Sequence, residues 1–276
     1  MATPNMRRIA FIGFGEVGQT FAKGLMAHED MQVSAYDILH GQVEGGRLAG
    51  RAKELGVSLS ASAAEAALDA SVIISAVTAS QVEAVAEAAR GYLRPGQIFL
   101  DVNSAAPTTK QRAAKHVEAA GAHYVEGAVM APVQKPGLAV PILAGGPHAE
   151  ATALLLNALG MRLRPVSVEH GRASAMKLCR SIMIKGLEAL MLDCAKASEH
   201  WNVKEPVFAS LAETFPSIDW HGLADHMRER VETHGIRRSA EMLEAGDMLA
   251  ALGMDPGLAV AVAEAQRRGA LKKEMQ

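Results

Sequence analysis

Three glycines near the amino terminus have the spacing of a phosphate-binding turn. Gly13, Gly15 and Gly18 follow the apolar run Ile9–Ile12, which is typical of a buried strand, and precede a segment rich in helix formers. At such a turn, backbone amides and the positive end of the helix dipole face an anion. The first glycine permits the tight turn, the second lets a pyrophosphate approach, and the third allows helix and strand to pack closely. The pattern predicts a dinucleotide site, with a glycine-rich turn of no binding function as the competing interpretation.

An acidic residue ends the next apolar segment. Val33–Tyr36 has the composition of a strand, and Asp37 follows it about 20 residues after the last glycine. A carboxylate there can accept hydrogen bonds from an adenosine ribose and would repel a 2′-phosphate, so we expect NAD to be preferred over NADP. The residues expected to contact the cofactor are Gly13, Phe14, Gly15, Glu16, Val17, Gly18, Asp37, Ala76, Val77, Thr78 and Asn103.

Polar residues follow two further strand-like runs, Ala70–Val77 and Gln97–Asp101. These runs are apolar and rich in β-branched residues, as in strands buried on both faces of a parallel sheet. Ligands of such sheets lie beyond the carboxyl ends of the strands. Helix capping and turn formation are competing explanations for the polar residues there. The segments expected to border one cleft are Ser75 to Thr78, Asn103 with Ser104, and Met130 to Pro132.

The segment Ala173–Ala197 predicts one long helix with a polar stripe. It lacks proline, would extend about 38 Å, and has apolar residues on nearly every side. One stripe at helical spacing is polar and needs water, a partner or a ligand. Its members are Lys177, Ser181, Lys185 and Glu188. A solvated face with an ordinary Lys185–Glu188 pair is the alternative, but a helix directly after a nucleotide-binding domain can form the far wall of the cleft.

Strand-like segments separated by glycines end near residue 168, and long helical patterns begin there. We expect an α/β domain of Rossmann type, a doubly wound parallel sheet, over residues 1–168, and an all-α substrate and dimerisation domain of about five helices over 169–276. The segment His234–Ser239 is predicted to join two of these helices. Its potential cations could meet an anionic substrate, although helix-end charges that compensate a dipole are the simpler explanation for each one.

Composition excludes several classes of protein. The chain has 276 residues, 49% of them hydrophobic and 21% charged, with a formal net charge of -2, so neither disorder nor general attraction to nucleic acid is expected. Met1–Arg8 is too short and polar for a signal peptide, and no uncharged apolar run reaches about 20 residues, so we expect a cytoplasmic protein without a membrane span. Cys179 and Cys194 are predicted to be buried thiols. No metal site is predicted, because no Cys/His cluster has zinc spacing.

Several of these motifs together resemble the β-hydroxyacid dehydrogenase family, which includes 3-hydroxyisobutyrate and 6-phosphogluconate dehydrogenases. The motifs are Gly13 to Gly18, Asp101 to Pro107, Gly145 with Gly146, and Gly171 to Lys177. The likeness is closest to members with a short helical second domain. It implies a long helix between the domains, a homodimer formed through the helical domains, and hydride transfer between NAD(P) and a small, anionic hydroxy acid. It also implies that Lys177 is the general acid/base. That role needs a lowered pKa, which desolvation and the nearby Arg180 would favour, and a plain surface charge is the alternative interpretation of Lys177.

The chain departs from the family pattern at two places. Where members commonly present Ser-Gly-Gly to the substrate carboxylate, this chain has Met130-Ala131-Pro132, and where an asparagine usually follows the lysine by four residues it has Ser181. We therefore expect a different substrate pocket. The expected catalytic residues are Lys177 as the acid/base and, positioning the substrate beside it, Asn103, Ser104 and Ser181. The candidate substrate residues are Met130, Arg180, Lys185, His234, Arg237 and Arg238.

Two other functions remain open at this stage. One is reduction of an imine or ketone, since related folds with helical dimer domains reduce C=N bonds. The other is a protein that binds NAD without chemistry. A buried polar stripe is costly unless it has some use, which favours an enzyme.

Overall fold

The computed structural model describes residues 8–42 and 45–274. The expected lack of a signal peptide concerns residues 1–8, of which 1–7 lie outside the described part. The chain divides into two compact units, Met1–Lys177 and Leu178–Gln276. This division falls inside a helix that begins at Arg172, whereas we placed the domain boundary after residue 168.

The first unit is built on one sheet with the strand order β3-β2-β1-β4-β5-β6-β7-β8. Its strands are β1 Arg8–Ile12, β2 Gln32–Tyr36, β3 Ser58–Leu59, β4 Val72–Ser75, β5 Ile98–Asp101, β6 His123–Val129, β7 Pro141–Gly145 and β8 Arg162–Ser167. Side chains along β1 alternate between two apolar clusters, with Ile9 and Phe11 in one and Ala10 and Ile12 in the other. The central strand is thus buried on both faces, as expected for a doubly wound sheet.

One strand pair departs from the expected parallel arrangement. β6 and β7 are antiparallel, whereas every other pair in the sheet is parallel. The connection between them contains only a short 3₁₀ turn, Gly137–Ala139. A parallel crossover needs a dozen or more residues and usually a helix, so this connection can only return the chain in the opposite direction.

Six helices of the described part flank the sheet. They are α1 Glu16–Leu25, α2 Gly45–Leu55, α3 Ala63–Ala67, α4 Val82–Ala89, α5 Pro107–Glu118 and α6 Ala149–Asn157. Proline opens α5 at its first position, where its missing amide proton is not needed. The predicted Rossmann-type fold class is confirmed.

The remaining helices follow without strands. They are α7 Arg172–His200, α8 Lys204–Thr214, α9 Trp220–Ala251 and α10 Gly257–Glu274. The prediction that His234–Ser239 joins two helices was wrong, because these residues lie inside α9, and four helices take the place of about five in this part. A Cβ on Gly235 would collide with the carbonyl oxygen of Gln266, so this glycine permits the close approach of α10 and is no helix breaker. Among the described residues, we find no helix with the length and apolar character needed to cross a membrane.

Candidate functional site

The glycine turn has the geometry that its spacing predicts. Gly13 has a φ of +91°, and a Cβ there would collide with the carbonyl oxygen of Ala76. A Cβ on Gly18 would lie 2.6 Å from the carbonyl oxygen of Gly13, so α1 packs against the turn. A Cβ on Gly15 would meet nothing within 4 Å. The turn is therefore tight at its first glycine, closely packed at its third, and open at the second, where a pyrophosphate would fit.

Asp37 is joined to this turn through one carboxylate oxygen and to its own following segment through the other. Its Oδ2 accepts a hydrogen bond from the Phe14 amide at 2.7 Å, and its Oδ1 accepts one from the Leu39 amide at 3.0 Å. The side chain is half-buried at the end of β2. Because a carboxylate has about four acceptor positions, two remain available for ribose hydroxyls. The structure thus places the predicted acid beside the predicted glycines.

Other predicted cofactor residues differ in what they present. The Phe14 side chain is fully buried in the core, so only its backbone can contribute. Val17 packs partly against the same core. Glu16 is exposed, and its carboxylate accepts a hydrogen bond from Gln134 in the connection between β6 and β7. Of these three residues, Glu16 has the most exposed side chain.

A buried polar network centres on Asp101 at the end of β5. Its carboxylate pairs with Lys110 Nζ at 2.8 Å and accepts a hydrogen bond from Tyr124 Oη at 2.7 Å. Burial, together with the adjacent Asp101, raises the pKa of Tyr124 well above its ordinary value, so the phenol stays a donor. We did not predict Lys110 or Tyr124. A signal existed for Lys110, because it shares helical spacing with Ala113, Ala114 and Val117, the buried face of α5.

The same carboxylate orients Asn103. Asp101 Oδ1 accepts from the Asn103 side-chain amide at 2.6 Å, and that amide also donates to Ser75 Oγ at 3.0 Å. Asn103 Oδ1 accepts from the Val77 amide at 2.6 Å. The predicted residues at the ends of β4 and β5 are therefore joined by one buried side chain. Thr78 is the N-cap residue of the short 3₁₀ turn Ala79–Gln81, but its side chain makes no capping hydrogen bond and instead contacts the exposed Ser80 hydroxyl at 3.3 Å. A ligand role for Asn103 and Thr78 stays a prediction.

Lys177 reaches the same edge of the sheet. Its Nζ donates a hydrogen bond to Ser104 Oγ at 3.0 Å, and the lysine is half-buried in the second turn of α7. Ile12, Ser75 and Asp101 are in register across β1, β4 and β5. With adjacent strands about 4.8 Å apart, the ends of β1 and β5 are separated by roughly 10 Å. The structure thus brings Lys177 and Ser104 to the edge that carries the glycine turn.

The polar stripe of α7 continues into the helical unit, where it is buried. Lys185 Nζ donates to Ser181 Oγ at 2.8 Å and pairs with Glu241 Oε2 at 2.7 Å. Glu188 pairs with Arg238 and, at 2.8 Å, with Arg230. Lys185 and Glu188 therefore find their partners on α9, so the alternative of a solvated Lys185–Glu188 pair was wrong.

Burial and charge act in opposite directions on these groups. Burial lowers the pKa of Lys185, although Glu241 opposes the shift. Burial alone would raise the pKa of Glu188, but the hydrogen bond and charge of Arg238, with help from Gln266 and Arg230, hold it below its ordinary value. The stripe thus forms a paired polar core within the helical unit.

The candidate substrate residues have different surroundings. Lys185 and Arg238 are buried in the ion pairs just described, and exposed Arg237 pairs with Glu241 at 2.9 Å. Arg180 is exposed, and His234 is half-buried on α9. Met130 is half-buried, and its amide donates to the Pro141 carbonyl at 2.9 Å. Substrate contact by any of them stays a prediction.

The two cysteines are not both buried as predicted. Cys179 is exposed on α7, because it lies one position beyond the helix face that is packed around Leu178. Cys194 is partly buried against an apolar cluster of the helical unit. Within residues 8–42 and 45–274, no three His, Cys, Asp or Glu side chains are grouped so as to hold a metal ion.

The sheet order, the glycine turn and the acid that follows it define a dinucleotide-binding protein of Rossmann type. A family model described as the NAD binding domain of 6-phosphogluconate dehydrogenase matches residues 8–164. The chain therefore belongs to this family, and the predicted resemblance to β-hydroxyacid dehydrogenases is confirmed. A second model, described as a domain of unknown function, matches residues 199–269.

Solved structures extend the likeness over nearly the whole chain. A conserved hypothetical protein from Sinorhizobium meliloti 1021 is 39% identical, with a TM-score of 0.84 and coverage of 96% of this chain and 88% of that one. The 3-hydroxyisobutyrate dehydrogenase of Mycobacterium tuberculosis, solved with L-serine, is 18% identical, with a TM-score of 0.77 and coverage of 96% and 94%. A reductive aminase from Aspergillus terreus, in complex with NADPH and ethyl levulinate, is 16% identical, with a TM-score of 0.61 and coverage of 97% and 95%. The last two show a shared fold.

Proposed function

We propose that this protein is an NAD(P)-dependent dehydrogenase that acts on a small, anionic hydroxy acid, with Lys177 as general acid/base. The observation that carries the proposal is the contact between Lys177 Nζ and Ser104 Oγ at 3.0 Å, at the edge of the sheet that bears the glycine turn. Gly13, Gly15, Gly18 and Asp37 would hold the dinucleotide. When bound, its nicotinamide supplies the hydride acceptor or donor.

Residues of the protein itself would accept and return the proton of the reaction. Oxidation of an alcohol requires a base near the hydroxyl, and the neutral amine of Lys177 can accept that proton. In the reverse direction, its ammonium form would return the proton to the carbonyl oxygen. Ser104 Oγ holds the amine by accepting its hydrogen bond, and it can turn its own proton toward a substrate oxygen. A panel of small hydroxy acids assayed for absorbance of the reduced nicotinamide tests the proposal, and absence of turnover with every member would contradict it.

Reduction of an imine or ketone is the second candidate. The observation in its favour is that this fold also occurs in the reductive aminase from Aspergillus terreus, together with Met130 and Ser181 in place of the usual family residues. Turnover of cyclic imines with reduced cofactor, but of no hydroxy acid, would favour it. A protein that binds NAD without chemistry would instead bind the cofactor tightly and turn over neither class.

Cofactor preference gives a prediction of its own. We expect NAD to bind at least about tenfold more tightly than NADP, or about 1.4 kcal/mol, because the Asp37 carboxylate would repel a 2′-phosphate. Asp37→Asn keeps most of the shape and removes the charge, so the ratio of the two dissociation constants should fall toward one. Calorimetric titration with both cofactors measures it, with Asp69→Asn, an exposed acid paired to Arg8, as the control. Equal affinities in the wild type would contradict the preference.

Helix α7 also carries an exposed apolar stripe that fits the proposed homodimer. Met176, Met183, Leu187 and Leu190 share one face of α7 and are 46%, 72%, 37% and 71% exposed. Burying this face against a second copy would remove apolar surface from water. We expect Met183→Glu to halve the mass measured by light scattering after size exclusion. Leu154→Glu, at a residue 74% exposed in the first unit, should leave the mass unchanged. A monomeric wild type would refute the dimer.

A further inference from the structure

A buried glutamate on β6 holds the start of the helix that carries Lys177. Glu126 is 0% exposed, and its Oε1 accepts a hydrogen bond from the Ala173 amide at 2.8 Å. Its Oε2 accepts one from Ser174 Oγ at 2.9 Å. Amides in the first turn of a helix have no acceptor within the helix, and the helix dipole favours a negative charge there. The carboxylate thus satisfies a backbone group that would otherwise be buried without a partner.

The surrounding backbone is shaped to admit this carboxylate. Gly145 is opposite Glu126 in the register of β6 and β7, and a Cβ there would collide with the glutamate side chain. Gly171, with a φ of +92°, precedes the helix, and a Cβ on it would lie 3.2 Å from Pro107 Cβ. Since Ala173 and Ser174 are themselves buried, the first turn of α7 has little room to shift against the sheet.

The two residues that Glu126 binds lie one helical turn before Lys177. Lys177 follows Ala173 by four residues and Ser174 by three, so the three side chains lie along the same side of α7. The position of the first turn of α7 along its axis, and its rotation about that axis, therefore determine where the Cα of Lys177 lies. Its target, Ser104, is adjacent to Asn103, which Asp101 holds in place. Two buried carboxylates thus fix the two partners of the Lys177–Ser104 contact.

We propose that Glu126 is a positioning residue for Lys177, acting through the first turn of α7 without touching the reactants. The inference rests on the proposed function in that it takes Lys177 as the acid/base. It predicts that loss of the carboxylate frees the amine from Ser104 while the dinucleotide turn stays intact. A purely structural role would instead lower stability without changing the chemistry of this one lysine.

The first test follows the amine itself and needs no substrate. The full-length protein is labelled with trace acetic anhydride over a range of pH, and the rate at Lys177 is compared with that of the other lysines by mass spectrometry. Glu126→Ala should raise the relative rate at Lys177 by about tenfold, the factor expected when the hydrogen bond of a charged group to Ser104 is lost. Glu126→Gln, which keeps one acceptor for the Ala173 amide, should restore most of the wild-type rate. Arg172→Ala removes an exposed ion pair with Glu169 on the same turn and should change nothing.

The second test uses turnover. With the best substrate of the panel, Glu126→Ala should lower kcat about tenfold, as expected for a displaced catalytic group, with KM and the NAD dissociation constant within about twofold of wild type. If the wild type turns over no substrate, the proposed function fails, yet the labelling still decides the role of Glu126. Should Glu126→Ala fail to fold, Ser174→Ala removes one of the two bonds and should give a smaller change in the same direction. An unchanged Lys177 labelling profile in the folded variants overturns the inference.

Discussion

Replacing Lys177 by methionine should lower kcat for the best hydroxy acid by about 10²- to 10⁴-fold, the usual contribution of a general acid or base. Methionine keeps an unbranched side chain of similar length, so the half-buried path of the lysine along α7 stays filled. What disappears is the amine that contacts Ser104 at 3.0 Å. Steady-state kinetics with NAD and the best substrate of the panel measure the effect.

The matched control is Lys177→Arg, which keeps a positive charge and hydrogen-bond donors. Arginine does not give up its proton in proteins, so it can hold Ser104 but cannot act as a base. We expect it to bind NAD as the wild type does and to be nearly as inactive as the methionine variant. Turnover by Lys177→Met equal to that of the wild type would remove Lys177 from the mechanism. If Lys177→Arg kept its turnover while Lys177→Met lost it, Lys177 would contribute only a fixed positive charge.

The parts of the fold that could be predicted depend on neighbours in sequence. Gly18 is required by a contact inside the strand-turn-helix unit, and Gly13 by its positive φ and its close approach to Ala76 after the adjacent strand. Gly15 instead faces open space, and the spacing of the three glycines was informative because it reflects this one local unit. The alternation of buried strands and helices likewise specified the sheet. Because the carboxyl ends of parallel strands meet at one edge, Ser75, Asn103 and Ser104 could be grouped without any knowledge of distances.

The parts that could not be predicted depend on partners far along the chain. Helical spacing put Lys185 and Glu188 side by side, but their partners Glu241 and Arg238 are 56 and 50 residues away. A glycine such as Gly235 ordinarily predicts the end of a helix. Only the close approach of α10 explains why this one lies inside α9. The carboxylate of Glu126 meets an amide 47 residues later, so nothing local identified it.

Loss of the buried cation at position 110 should strongly destabilise the first unit. Lys110 and Asp101 are 0% and 1% exposed, and their charges lie 2.8 Å apart. Lys110→Met keeps the packing of the stem but leaves the carboxylate buried without a counter-charge. Removing one member of such a pair costs about 3–5 kcal/mol. The hydroxyl of Tyr124 can offset only part of this cost, because a neutral donor carries no full charge.

Hydrogen exchange across β5 and β6, the strands that carry Asp101 and Tyr124, measures this loss. The control is Arg112→Ala on the same helix, which breaks an exposed pair with Glu83 and should cost below about 1 kcal/mol. Because Asp101 also holds the Asn103–Ser104 turn, Lys110→Met should loosen the contact of Ser104 with the Lys177 amine. A similar loss of unfolding free energy in Lys110→Met and Arg112→Ala would contradict the prediction. It would mean that the Asp101 carboxylate binds water or another donor once the lysine is gone.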